Sequence, residues 1–170
     1  KMSMKLSEGI KFENSGMFGN HATPVILIKA KNTSGGTLAR GDVVVWNYSG
    51  GDASTADMVS ATTTTSAAVQ TVMGMVSHST HGGNADTVAD NTMMWVQIFG
   101  PTNALKVDGT TDIAIGDVLV TFTTAKIAKK GGSASGGIFA RALEAYATND
   151  SAGVIDAFIS CLVPGGKTEV

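Results

Sequence analysis

Apolar residues along this chain come in short runs bounded by Gly, Asn, Asp or Thr, a pattern of strands rather than helices. The runs cover residues 25–30, 43–48, 69–76, 93–99, 104–107, 118–123 and 154–163. In the last, Ile155, Ala157, Ile159, Cys161 and Val163 share one face at period two, while Asp156 and Ser160 mark a wetter face. The best run of helix formers, Ala140-Arg141-Ala142-Leu143-Glu144-Ala145, is short. Ile138-Phe139 before it and Tyr146 after it suit a strand equally well. The pattern predicts an all-β chain.

Glycine supplies the punctuation. Ser34-Gly35-Gly36, Ser49-Gly50-Gly51, Gly82-Gly83-Asn84 and the Gly-rich stretch 131–137 are predicted turns, and Asp108-Gly109 is the strongest hairpin signal. Residues 61–68, holding Thr62-Thr63-Thr64-Thr65, read as an exposed linker or hairpin arm. Residues 1–20 scatter Met2, Met4, Leu6, Ile10, Phe12, Met17 and Phe18 among Lys, Ser, Gly and Asn. Too apolar for a solvated tail and too irregular for a helix, they are predicted to form an extended N-terminal arm. That arm docks either on its own barrel or, the expectation adopted here, on a neighbouring subunit or other partner surface. Residues 21–170 are then a single β-barrel domain.

An internal repeat adds the most information. Leu38-Ala39-Arg40-Gly41-Asp42-Val43-Val44-Val45 resembles Ile113-Ala114-Ile115-Gly116-Asp117-Val118-Leu119-Val120. Each copy follows a strand-like run and leads into a strand, a long loop and two further strands. In each, the Gly (Gly41, Gly116) is expected to turn the chain, and the Asp (Asp42, Asp117) to cap a backbone N–H. An apolar residue two positions earlier is expected to enter the core. Half-units of about four strands cannot bury a core separately, so the two are predicted to combine into one compact barrel.

Composition narrows the function. Charged residues are 15% of the chain, against about 25% in an ordinary domain. The net charge of −2 argues against nucleic-acid binding through broad positive potential. The lone Cys161 allows neither an internal disulfide nor a cysteine metal cage. No apolar stretch reaches the length of a membrane span, and no secretory signal is evident after Lys1, so no membrane partner is expected. His78 and His81 stand at a spacing that suits one metal, but in a loop before Gly82-Gly83, and are read as surface histidines. Gly165-Gly166-Lys167-Thr168 resembles the end of a phosphate-binding loop, yet Cys161 replaces the required earlier glycine and no helix follows. The Gly131 to Gly137 loop does not fit the Gly-x-Ser-x-Gly pattern. No catalytic residue, cofactor or metal is expected, and an enzyme is not.

Several strings together resemble a known family. Gly41-Asp42-Val43-Val44, Val72-Met73-Gly74-Met75-Val76 and Trp95-Val96-Gln97 fall in the first half. Ala114-Ile115-Gly116-Asp117-Val118-Leu119-Val120, a Lys-containing segment over 125–130, and Ala140-Arg141-Ala142-Leu143-Glu144 fall in the second. This order is similar to small tailed-bacteriophage capsid decoration, or cement, proteins over roughly residues 25–163. The long N-terminal arm and the Thr-rich 61–68 depart from it. The resemblance implies a compact β-barrel of β-tulip or β-clip type. It also implies a homotrimer on the exterior of the virion, made in the host cytoplasm, whose partner is the major capsid protein. Its implied work is mechanical, bridging capsid subunits against internal pressure. The alternatives are another virion or tail β-module, or a carbohydrate-binding adhesin-like domain. Trp46 and Trp95 lie inside apolar strands rather than clustered for sugar stacking.

Overall fold

The computed structural model describes residues 10–15, 23–47, 59–79, 86–132 and 135–161, and these contain strands and turns but no helix. The strands are β1 (Ile10–Ser15), β2 (Thr23–Asn32), β3 (Leu38–Ala39), β4 (Val43–Trp46), β5 (Ser60–Thr62) and β6 (Val72–Ser79). They continue with β7 (Thr87–Val88), β8 (Met93–Asp108), β9 (Val118–Thr121), β10 (Ala128–Lys130), β11 (Ala140–Ala142) and β12 (Gly153–Ser160). All but β3 and β7 join one ten-stranded sheet.

The pairings close that sheet on itself twice. In one ring β2, β5, β4, β6 and the first half of β8 follow one another, and β8 pairs back onto β2. In the other the order is the second half of β8, then β10, β9, β11 and β12, which returns to β8. Each ring contains one parallel contact, β2 with β5 and β8 with β10; all its other pairs are antiparallel. Closure removes most of the open edges that an apolar sheet would expose.

Each ring has a core. Leu38, Val44, Met73, Met94 and Val96 fill the first. Leu105, Leu119, Phe139, Ile155 and Ile159 fill the second, together with Val43, Val72 and Met75 contributed by strands of the first. Cys161 packs against both. The alternation in β12 is as read, with Ile155, Ala157 and Ile159 buried and Val154 and Ser160 exposed.

Several expectations change. The runs 93–99 and 104–107 are one strand, sixteen residues long. Gly100 and Pro101 bend it without ending it, because the buried Gln97 amide donates to both of their carbonyls at 2.9 Å. Gly100 has φ +102°, and a Cβ there would stand 2.5 Å from Pro24 O. Asp108-Gly109 is not a tight hairpin: β8 pairs with β10 and β12, not with the following β9, and the Gly109 N–H donates to Asp150 O. The Thr-rich stretch opens as strand, with Ala61 fully buried in β5, and only Thr65 to Ala67 are exposed. His78 is buried in β6 rather than on the surface, its Nδ1 2.9 Å from Ser77 Oγ, while His81 lies outside the described residues.

The expected arm divides. Residues 10–15, which include Ile10 and Phe12, form β1 and pair antiparallel with β2 of the same chain, Ile10 opposite Ile28 and Ser15 opposite Thr23. Met2, Met4, Leu6, Met17 and Phe18 lie outside the described residues.

Candidate interaction surface

The two Gly-Asp sequences fold into matching turns. Gly41 has φ +90° and Gly116 φ +88°, a region L side chains rarely adopt. Each aspartate reaches back to its own turn: Ala39 N–H donates to Asp42 Oδ2 at 2.8 Å, and Ala114 N–H to Asp117 Oδ2 at 2.7 Å. The Asp42 N–H bonds Ala39 O and the Asp117 N–H bonds Ala114 O. Each turn is also stitched to the strand beside it, Gly41 and Asp42 to Val76, and Gly116 and Asp117 to Ala142. Beside them Leu38 pairs with Val88, and Ile113 bridges to Tyr146. The residue that enters the core is three positions before the glycine. Leu38 and Ile113 are buried, whereas Ala39 is half-buried and Ala114 exposed.

Their surroundings differ. The Gly41 turn is seated against β8: the Lys106 N–H donates to Gly41 O, and a Cβ on Gly41 would run into Ala104 O. Asp42 is buried, with Lys106 Nζ 2.5 Å from Oδ1 and Lys126 Nζ 4.0 Å from Oδ2. Arg40 donates to Asn103 Oδ1. The Gly116 turn stands free, with no atom within 4 Å of where its Cβ would be. Asp117 pairs with Lys130 at 2.8 Å and keeps a quarter of its side chain in solvent. The Lys130 hydrogen bond, with help from the Ala114 N–H, holds the Asp117 carboxyl below its ordinary value of 3.8.

The structure does not bring Asp42 and Asp117 together. The two aspartates sit on different rings, each bonded to its own turn and its own lysine. A shallow cleft is lined by Arg40, Asp86, Thr87, Asn103, Lys106 and Val154, and its Lys106 is already engaged by Asp42. Burial pushes the Cys161 thiol up to about 12, so it stays protonated at neutral pH. Among the described residues no group of three or more His, Cys, Asp or Glu is arranged to hold a metal ion. Within the same residues no helix is long and apolar enough to cross a membrane.

Sequence reading found the turns but missed Lys106, Lys126 and Lys130 as partners of the aspartates. The one available signal was Lys106, a lone cation inside the apolar run 104–107.

No protein-family model matches the chain, and no curated protein does. Among solved structures, the crystal structure of the head fiber gp8.5 N base in bacteriophage phi29 is similar over 80% of this chain and 94% of that chain. The identity is 17% and the TM-score 0.45, a likeness too slight to assign this chain a role.

Proposed function

We infer that this chain is a non-enzymatic structural protein of a tailed-phage particle, one that binds the capsid exterior as a homotrimer and ties neighbouring major capsid subunits together. The two Gly-Asp turns carry the reading. Their carboxylates are engaged by backbone N–H groups and lysines, an arrangement that stiffens turns rather than moving protons. These residues are among those on which the resemblance to decoration proteins rests. A sixteen-residue strand running through both rings suits a protein that transmits load.

Electron cryo-microscopy of native particles tests it. The expected result is ordered copies on the outer lattice, grouped in threes and touching more than one capsid subunit. Particles that lack the chain, or that carry it only in the tail, would overturn it.

A further inference from the structure

Three large hydrophobic side chains stand out on the described surface: Ile115 is 71%, Val154 50% and Leu143 39% exposed. They divide between two sides of the second ring, whose strand order is β8, β10, β9, β11, β12. Ile115 and Leu143 belong to the β9–β11 side. Ile115 precedes the Gly116 turn that leads into β9, the Gly116 N–H bonds Ala142 O at the end of β11, and Leu143 follows directly. Val154 belongs to the β8–β12 side, where it stands opposite Lys106.

The two sides differ in shape and in charge. The Gly116 turn stands free of the rest of the chain, so it projects as a knob. Acidic groups flank it. Asp117 gives Oδ2 to the Ala114 N–H and to Lys130, and Glu144 gives Oε1 to the Asp156 N–H. Among the described residues Glu144 has no cation beside it. Val154 instead lines the shallow cleft, together with the small apolar Ala39 and Ala104 and the cations Arg40 and Lys106. Arg40 is exposed and donates to Asn103 Oδ1, with no carboxylate as partner among the described residues. Lys106 keeps about a third of its side chain in solvent despite its pair with Asp42. An apolar knob edged by carboxylates therefore matches an apolar cleft edged by cations. Asp86 in the cleft and Arg141, which holds Gly116 O at the base of the knob, offer the converse pair.

We propose that the Ile115–Gly116 knob of one copy seats in the Val154 cleft of a second copy, with Ile115 and Leu143 against Val154 and the Glu144 carboxylate on Arg40. Knob and cleft are different surfaces, so the contact is head-to-tail, and repeating it either closes a ring or grows a filament. The contact needs no phage particle; its closure after three copies rests on the threefold grouping inferred above.

Sedimentation velocity on the full chain and its variants tests it. The unaltered chain is expected to associate with rising concentration and to stop at trimers. Ile115→Lys spoils the knob and Val154→Lys the cleft, both at exposed positions that leave the cores intact. Each is expected to weaken association at least about tenfold. Arg40→Ala should weaken it too, by a factor that shrinks at high salt. An equimolar mixture of the two lysine variants is the decisive measurement. One supplies a sound cleft and the other a sound knob, so the mixture is expected to form dimers that neither forms alone, and nothing larger. Circular dichroism checks that each variant keeps the strand signal, and serine replaces lysine at either position should it be lost. An unaltered chain that stays monomeric up to about 1 mM overturns the contact, and so does a mixture that stays monomeric. Trimers that survive both lysine substitutions overturn the contact and leave the threefold reading standing. Growth beyond three copies that both substitutions abolish supports the contact and overturns the threefold closure.

Discussion

Asp42 and Asp117 occupy the same place in matching turns, yet substitution will separate them. Asp42 is buried against Lys106, so its removal strands an ammonium that is only about one-third exposed and frees the Ala39 N–H. Asp42→Ala should cost about 2–4 kcal/mol. Asp42→Asn should be nearly as harmful, because whichever way the amide turns it keeps one acceptor for two donors. Asp117→Asn still accepts from Ala114 and loses a partly exposed pair with Lys130, a cost of about 0.5–1 kcal/mol. The Asp117 contribution also carries a pH signature. Its folded pKa is lowered, so the stabilisation is complete above the unfolded value of 3.8 and is lost as pH falls through the folded pKa. Thermal melts of the unaltered chain and Asp117→Asn should therefore differ at about pH 6 and converge as the pH falls below 3.8 and through the lowered folded pKa. A difference that grows on acidification would contradict the assigned pairing.

At the scale of the element, β8 decides how the chain is organised. Its continuity depends on Gln97, whose buried amide supplies two hydrogen bonds to the carbonyls of Gly100 and Pro101 at the bend. Gln97→Leu keeps the volume and β-sheet fit but leaves both carbonyls without that donor, so it should cost about 1–3 kcal/mol. Hydrogen exchange should show faster opening at residues 97–102 than the overall loss of stability accounts for; uniform acceleration along β8 would rule out a local role. This strand also marks what was legible in the sequence. The run 154–163 was readable because burial on one face imposes period two, 25–30 because it is a short apolar run between polar residues, and the glycines at 41 and 116 because the Gly-Asp context repeats. The continuity of β8 was not, since Gly100-Pro101 looks like a break unless Gln97 is known to brace it. Nor were the two ring closures, whose parallel contacts involve only two residue pairs each. The lysine partners were hidden for a related reason: Lys106 meets Asp42 across sixty-four positions of sequence, a distance over which no local pattern carries information.

For the whole molecule the question is whether two closed rings behave as one body. Three features argue that they do. The rings share β8; Val43, Val72 and Met75 belong to strands of the first ring but pack in the core of the second; and Asp42 in the first is paired with Lys106 and Lys126 in the second. Opening either ring alone would expose those apolar side chains and separate that ion pair. Calorimetry is expected to show a single transition whose calorimetric and van't Hoff enthalpies agree. Met75 is the sharpest probe, because it is 1% exposed and its sulfur also accepts from Thr102 on β8 at 3.6 Å. Met75→Ala should cost about 2–5 kcal/mol and lower the one transition without splitting it. Two resolved transitions, with only the higher or the lower one moved by Met75→Ala, would mean that each ring folds on its own and that β8 is a tether between two bodies.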